Sequence, residues 1–211
     1  MNFSRMIFAL TASLVCGTAT ASPESDFWKW FQKNETALFN FESNEKTIFE
    51  QLEVQMHKVN STLTFEFGPK EQGQRDFVIS ADGILDSFPS VEKLYAAAPQ
   101  LKKWKFIKFR PRREPSDIKF RGILVPASSV AVLIERDGPK AALTVLIPGY
   151  TKAEHESYAG IAFLMLDRAL GEFDVETRVG FIEVSAPSDQ YARARPLKSL
   201  PEAFDAFLSH E

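Results

Sequence analysis

The hydrophobic period of this chain switches between helical and extended in blocks, and that order limits its fold more than any other feature. Phe27, Trp28, Trp30, Phe31, Leu38 and Phe39 recur at helical spacing behind Ser22-Pro23-Glu24, a cap followed by a proline suited to a first turn. A second helix begins near Ser43, with Ile48, Phe49, Leu52, Met56 and Val59 as its apolar stripe. The period then drops to two: Leu63, Phe65 and Phe67 alternate with Thr64 and Glu66, the mark of a half-buried strand. Gly68-Pro69 and Gly73 punctuate a turn, and Phe77-Val78-Ile79 is the next strand, ended by Asp82-Gly83. A short helix over Pro89–Ala98 stops at Pro99.

Extended segments then dominate. Trp104–Phe109 and Ile118–Val125 read as strands. Val130–Ile134 and Ala142–Ile147 flank Asp137-Gly138-Pro139 as a hairpin. The longest helix runs from about Ala153 to Leu170, with Gly171 placed to end it, before a strand at Phe181–Val184 and a closing helix over Pro201–Leu208. Strands therefore come in runs instead of alternating one-to-one with helices. That order predicts an α+β fold, a mostly antiparallel sheet of about six to seven strands with helices packed on it. The polar stretch from Ala186 to Lys198 reads as irregular.

The amino terminus has the secretory pattern: Arg5, an apolar run over Met6–Val15, then Ala19-Thr20-Ala21 with small residues at the two positions read by a signal peptidase. The run is shorter than the about 20 residues of a membrane span. Val15 argues against lipidation at Cys16, because a small residue normally precedes such a cysteine. The expectation is a signal peptide over 1–21 and a single α+β domain over 22–211, exported to the periplasm or secreted. Cys16 is the only cysteine, so the mature chain is cysteine-free and holds together without disulfide or thiolate metal site. The 45% hydrophobic content of the full chain and its 19 phenylalanines, most of them in the mature part, supply a core instead. The formal net charge is −3, and removing Arg5 makes it one unit more negative, which argues against nucleic acid as a partner of the whole domain.

Several blocks carry a resemblance. They are Phe27-Trp28-Lys29-Trp30-Phe31 with Asn34-Glu35, the run Phe77-Val78-Ile79-Ser80-Ala81-Asp82-Gly83, Ala98-Pro99 with Trp104 and Ile107-Lys108-Phe109, and Leu166-Asp167-Arg168-Ala169-Leu170-Gly171-Glu172. Together they resemble a family of functionally uncharacterised bacterial proteins. The family brings no active site, so the resemblance assigns no functional residue.

No motif names a reaction or calls for a cofactor. His155-Glu156 opens like a zinc-protease helix, but Ala159 stands where the second histidine belongs, so no metal ligand set is assigned. Asp167 lies inside an apolar helix stripe, where a carboxylate must be paired or have a raised pKa; a structural Asp bonded to an Arg or a loop amide is the expected role. Asp82 at a strand end reads first as a turn residue.

The strongest unusual feature is Lys102–Arg113, with seven basic residues, no acid and interleaved aromatics. Its lysines suit a solvated or protected strand edge. Arg110, Arg112 and Arg113, on a strand end loosened by Pro111, suit a clamp for carboxylates or phosphates. The function expected is therefore a non-catalytic exported binding or interaction domain with an anionic ligand or protein as partner. The alternative is a hydrolase or other enzyme of unrecognised type with Asp167 or Asp82 as its acid.

Overall fold

The computed structural model describes residues 22–209, so the signal peptide expected over 1–21 lies outside the described residues. The described residues form seven helices and nine strands, an α+β fold. The chain opens with α1 (Pro23–Lys33), whose Ser22 cap accepts a hydrogen bond from the Ser25 N–H at 3.2 Å. Phe27, Trp28 and Phe31 are buried, whereas Trp30 is only half-buried, because residues two apart on a helix point to different faces. Asn34 interrupts the helix: its side-chain amide donates to Trp30 O at 2.8 Å, and a separate α2 (Glu35–Phe39) follows.

After α3 (Glu45–His57) come β1 (Thr64–Glu71) and β2 (Gln74–Ser80), paired antiparallel. β1 passes through the expected Gly68-Pro69 turn by a register shift between Phe67 and Lys70, and the chain reverses at Gln72-Gly73. Helix α4 (Phe88–Ala96) then carries it back, so that β3 (Trp104–Lys108) lies parallel to β2.

The stretch expected as one strand over 118–125 is two, β4 (Ile118–Phe120) and β5 (Ile123–Val125). They fold at Arg121-Gly122, where φ is 47° and 86°; two positive φ values in succession make a tight hairpin turn. β6 (Ala131–Asp137) and β7 (Lys140–Leu146) form the anticipated hairpin. Helices α5 (His155–Leu170) and α6 (Glu172–Arg178) return the chain to β8 (Val179–Ser185), parallel to β7. Within the stretch expected to be irregular, β9 (Arg195–Pro196) pairs with β6 before α7 (Leu200–Ser209).

The expected single sheet of six to seven strands is thus corrected to three sheets, in the orders β1-β2-β3, β4-β5 and β8-β7-β6-β9. The pattern of hairpin, helical crossover and parallel third strand occurs twice, as β1-β2-α4-β3 and as β6-β7-α5-α6-β8. Parallel pairing needs such a crossover, and α4 and α5 were legible, whereas α6 after Gly171 was not; what strand order alone does not reveal is that each crossover returns to its own hairpin. Each unit buries its own hydrophobic cluster. The first gathers Phe27, Phe31, Leu52, Phe77, Val91 and Trp104, the second Val132, Leu143, Val145, Ile161, Met165 and Phe204. Pro111 and Pro115 sit in the connection between them, where a residue without an N–H cannot extend a sheet ladder. No helix among the described residues is long and apolar enough to cross a membrane.

Candidate functional site

The basic run 102–113 spans β3 and the connection, and its two ends meet different surroundings. At the carboxyl end, residues 110–113 pass along the last turn of α5, whose carbonyl groups have no partners within the helix. The Arg113 N–H donates to Arg168 O at 2.7 Å and Arg112 Nε donates to Leu170 O at 2.9 Å. Cations here also complement the negative end of the helix. Gly171 makes room: a Cβ on it would lie 3.1 Å from Arg110 O and 3.2 Å from Arg112 N.

Each arginine of this end already holds carboxylates of the chain itself. Arg110 donates from Nε to Glu66 Oε1 at 2.9 Å and from Nη2 to Asp82 Oδ1 at 2.6 Å, and its Nη1 lies 3.7 Å from Asp167 Oδ2. Burial works to lower the Arg110 pKa, but Asp82 and Asp167 more than offset it and the net shift is upward. Arg112 grips both oxygens of Asp205, at 2.7 and 2.8 Å, and Asp174 at 2.5 Å. The hydrogen bonds to Asp205 lead in raising its pKa. Arg113 pairs with Glu66 Oε2 at 2.8 Å. The anion clamp expected at Arg110, Arg112 and Arg113 is therefore filled from within.

Glu172, fully buried, ties the same junction together. Its Oε1 accepts from the N–H groups of Ala81 at 2.8 Å and Gly83 at 3.2 Å, and its Oε2 from that of Arg110 at 3.0 Å. Two non-glycine residues beside it, Asp82 and Phe109, have left-handed backbones with φ of 53° and 60°. Such conformations persist where surrounding contacts over-determine them. Sequence reasoning singled out Asp82 and Asp167 but not that one guanidinium brings them together; it missed Glu66, Asp174, Asp205 and Glu172. A glutamate directly after the helix-ending Gly171 is the one local hint of the last.

Asp167 is 6% exposed, and its Oδ1 is buried with no hydrogen-bond partner among the described residues. Burial pushes its pKa up to about 6; Arg110 opposes this, while Glu172, Glu66 and Asp82 add to it. A cleft of about 250 Å³ opens here, lined by Glu66, Asp82, Arg110, Arg113 and Asp167, with Phe163 and Leu164 as an apolar wall. The described residues hold no group of three or more His, Cys, Asp or Glu arranged for a metal ion.

The amino end of the run is different. Lys108 grips both oxygens of Glu92 at 2.8 Å, but Lys102, Lys103 and Lys105 are exposed and no carboxylate of the described residues lies within 4.0 Å of them. Asp76, opposite Lys105 in the β2–β3 ladder, makes no such pair. Beside Lys102 lies a groove of about 600 Å³ between the turn after α4 and β3, walled by Tyr95, Pro99, Leu101, Trp104 and Phe106. Its apolar lining with a cationic rim suits a ligand that has an apolar body and an acidic group. No family model, no curated protein and no solved structure matches this chain.

Proposed function

We propose that this chain is a non-catalytic, exported binding domain that takes up an anionic amphiphile in the groove at the amino end of β3. One observation carries the reading. Of the seven basic residues in 102–113, four are neutralised by the chain's own carboxylates, while Lys102, Lys103 and Lys105 are left without one among the described residues, and Lys102 lines an aromatic groove. The groove volume of about 600 Å³ falls within the range of small-molecule sites, roughly 300–1,000 Å³. On this reading the arginines build the junction and the lysines meet the ligand. Export is supported by the charged, apolar and small-residue segments of 1–21.

The test is titration with octyl phosphate, free in solution in one arm and replaced by vesicles of anionic lipid in the other, read by tryptophan fluorescence. Saturable binding that weakens with salt, and weakens further in Lys102→Gln/Lys103→Gln, supports the reading. Equal binding by wild type and double variant, or no binding at low salt, sinks it. The two arms separate a soluble ligand from a membrane surface. Export is checked by the intact mass of protein from the native host: a chain starting at Ser22 is expected, and one retaining residues 1–21 overturns the export part.

A second reading draws on a different observation, the convergence of Asp82, Asp167, Glu66 and Arg110 on one cleft. A carboxylate with a pKa near 6 is tuned for acid–base work at neutral pH, and a hydrolase would use Asp167 or Asp82 as its acid. The arginine pairing favours the structural role. An activity abolished by Asp167→Asn without loss of melting temperature reverses that preference.

A further inference from the structure

Among the described residues, the buried side-chain nitrogens without a hydrogen-bond acceptor are Arg75 Nε, Arg75 Nη1 and Trp104 Nε1. They belong to one place. Arg75 and Trp104 are ladder partners in the parallel β2–β3 pair, so their side chains leave the sheet on the same face. Both pack against the same two rings. Arg75 Cζ is 5.7 Å from the Phe39 centroid and 6.0 Å from that of Phe67, and the Trp104 ring is 5.7 Å from each. Arg75 is 2% exposed and Trp104 5%. Folded proteins leave few buried donors unpaired, each at a penalty of about 1–3 kcal/mol. Here all three unpaired groups are donors, so the group that complements them is rich in acceptors.

Charge points the same way. The third nitrogen of the Arg75 fork, Nη2, donates to Glu42 Oε1. Glu42 belongs to a 3-10 turn, Phe41–Ser43, its side chain is half exposed, and it also pairs with Lys70 at 3.2 Å. Lys70 Nζ and Lys103 Nζ each stand 5.4 Å from the Phe39 ring centroid. Three cations thus surround Phe39, while Glu42 is the one carboxylate that pairs with any of them among the described residues. A guanidinium fork matches a carboxylate or phosphate bidentately.

We propose that Arg75 and Trp104 form the floor of an oxyanion subsite, that Glu42 is a built-in carboxylate which a ligand's phosphate or carboxylate displaces, and that Lys70 and Lys103 stand at its rim. The inference rests on the reading that this end of the first sheet binds an anionic ligand, and it names the atoms that receive the acidic group. Trp104 is shared, since it also walls the groove that would take the apolar body. Displacement of Glu42 exchanges one carboxylate–guanidinium pair for another and adds acceptors for the three unpaired donors.

The test is a titration of isotope-labelled wild-type protein with octyl phosphate, followed by the N–H resonances of Arg75 Nε and of the three tryptophan indoles. Saturable shifts are expected for Arg75 Nε and for the Trp104 indole, identified by its loss in Trp104→Phe. The Trp28 indole, which donates to Leu94 O at 2.8 Å, should stay put. Glu42→Gln, which removes the competing charge, should bind at least threefold more tightly; the wild-type spectra decide the matter even if that variant folds poorly. Binding that depends on Lys102 and Lys103 but leaves Arg75 and Trp104 unmoved overturns the subsite and spares the groove. Binding by Glu42→Gln alone overturns the displacement of Glu42 in the wild type and removes the lysine reading with it. No binding by either protein removes both.

Discussion

Arg110 Nη1 stands 3.7 Å from Asp167 Oδ2, the ion pair by which this guanidinium reaches from the first hairpin–helix–strand unit into the second. Its other carboxylate partners, Glu66 on β1 and Asp82 after β2, both belong to the first unit. The two hydrophobic clusters therefore meet across a charged boundary, and the arginines of a connection that looked free in the sequence hold it.

Asp167 should make stability depend on pH between about 4 and 6. Its folded pKa is raised from 3.8 to about 6, chiefly by burial, so the folded state binds the proton more tightly than the unfolded chain. The stabilisation from protonation is fully present below pH 4 and is lost as pH rises through 6. The ionised group then disfavours the fold by an amount on the order of 3 kcal/mol at pH 7. Asp167→Asn should flatten this slope, which chemical denaturation at pH 5 and pH 7 measures. An unchanged slope in the variant would show that burial does not govern this carboxylate.

Arg112→Gln should lower stability by about 2 kcal/mol, because Asp174, Asp205 and Leu170 O all lose a charged donor. In a domain of this size that is a fall of roughly 4–8 °C in melting temperature. The loss should be smaller in high salt, since Asp205 is half exposed and its repulsions are screened. A calorimetric scan at two ionic strengths reads both effects; a shift under 1 °C would leave the arginine as a surface decoration.

Gly171→Ala should be among the most damaging single-methyl changes in the chain. The residue has φ 80° and ψ 149°, a conformation essentially restricted to glycine, for which a side chain adds about 1–3 kcal/mol of strain. The new Cβ would also press on the backbone of Arg110 and Arg112 at 3.1 and 3.2 Å. Equilibrium unfolding of the variant gives the number, and a loss below about 0.5 kcal/mol, the ordinary range for surface changes, would contradict the close approach.

Helices were legible where apolar spacing was dense, and the Asp137-Gly138 hairpin and the Gly171 stop followed from local backbone chemistry. The Arg121-Gly122 turn was missed because the apolar run Ile118–Val125 passes through it and only one residue of the pair is a glycine. Sheet membership was not legible, because it depends on which hairpin a crossover strand rejoins. The arginines were conspicuous, but their partners Glu66, Asp174 and Asp205 are ordinary surface-type acids far away in the chain. Arg75 did leave a trace: it stands two and four residues before Phe77 and Ile79, on the buried face of an alternating strand.

Glu172 offers the sharpest test of the junction, since one carboxylate holds three backbone N–H groups from two segments, those of Ala81, Gly83 and Arg110. Glu172→Gln keeps one acceptor oxygen and turns the other into a donor facing an N–H, whereas Glu172→Ala leaves all three donors unpaired in a buried site. At about 1–3 kcal/mol for each stranded donor, Glu172→Ala should lose on the order of 4 kcal/mol and Glu172→Gln less. The two variants should also report on Asp167, because the negative charge of Glu172 helps to raise its pKa. With that charge removed, Arg110 acts on Asp167 with less opposition, and the titration of Asp167 should move below 6. Carbon-detected NMR titration of the Asp167 carboxyl in Glu172→Gln measures the shift directly. A titration that stays at its wild-type position, in a variant that still folds, would show that the two carboxylates do not share one electrostatic site.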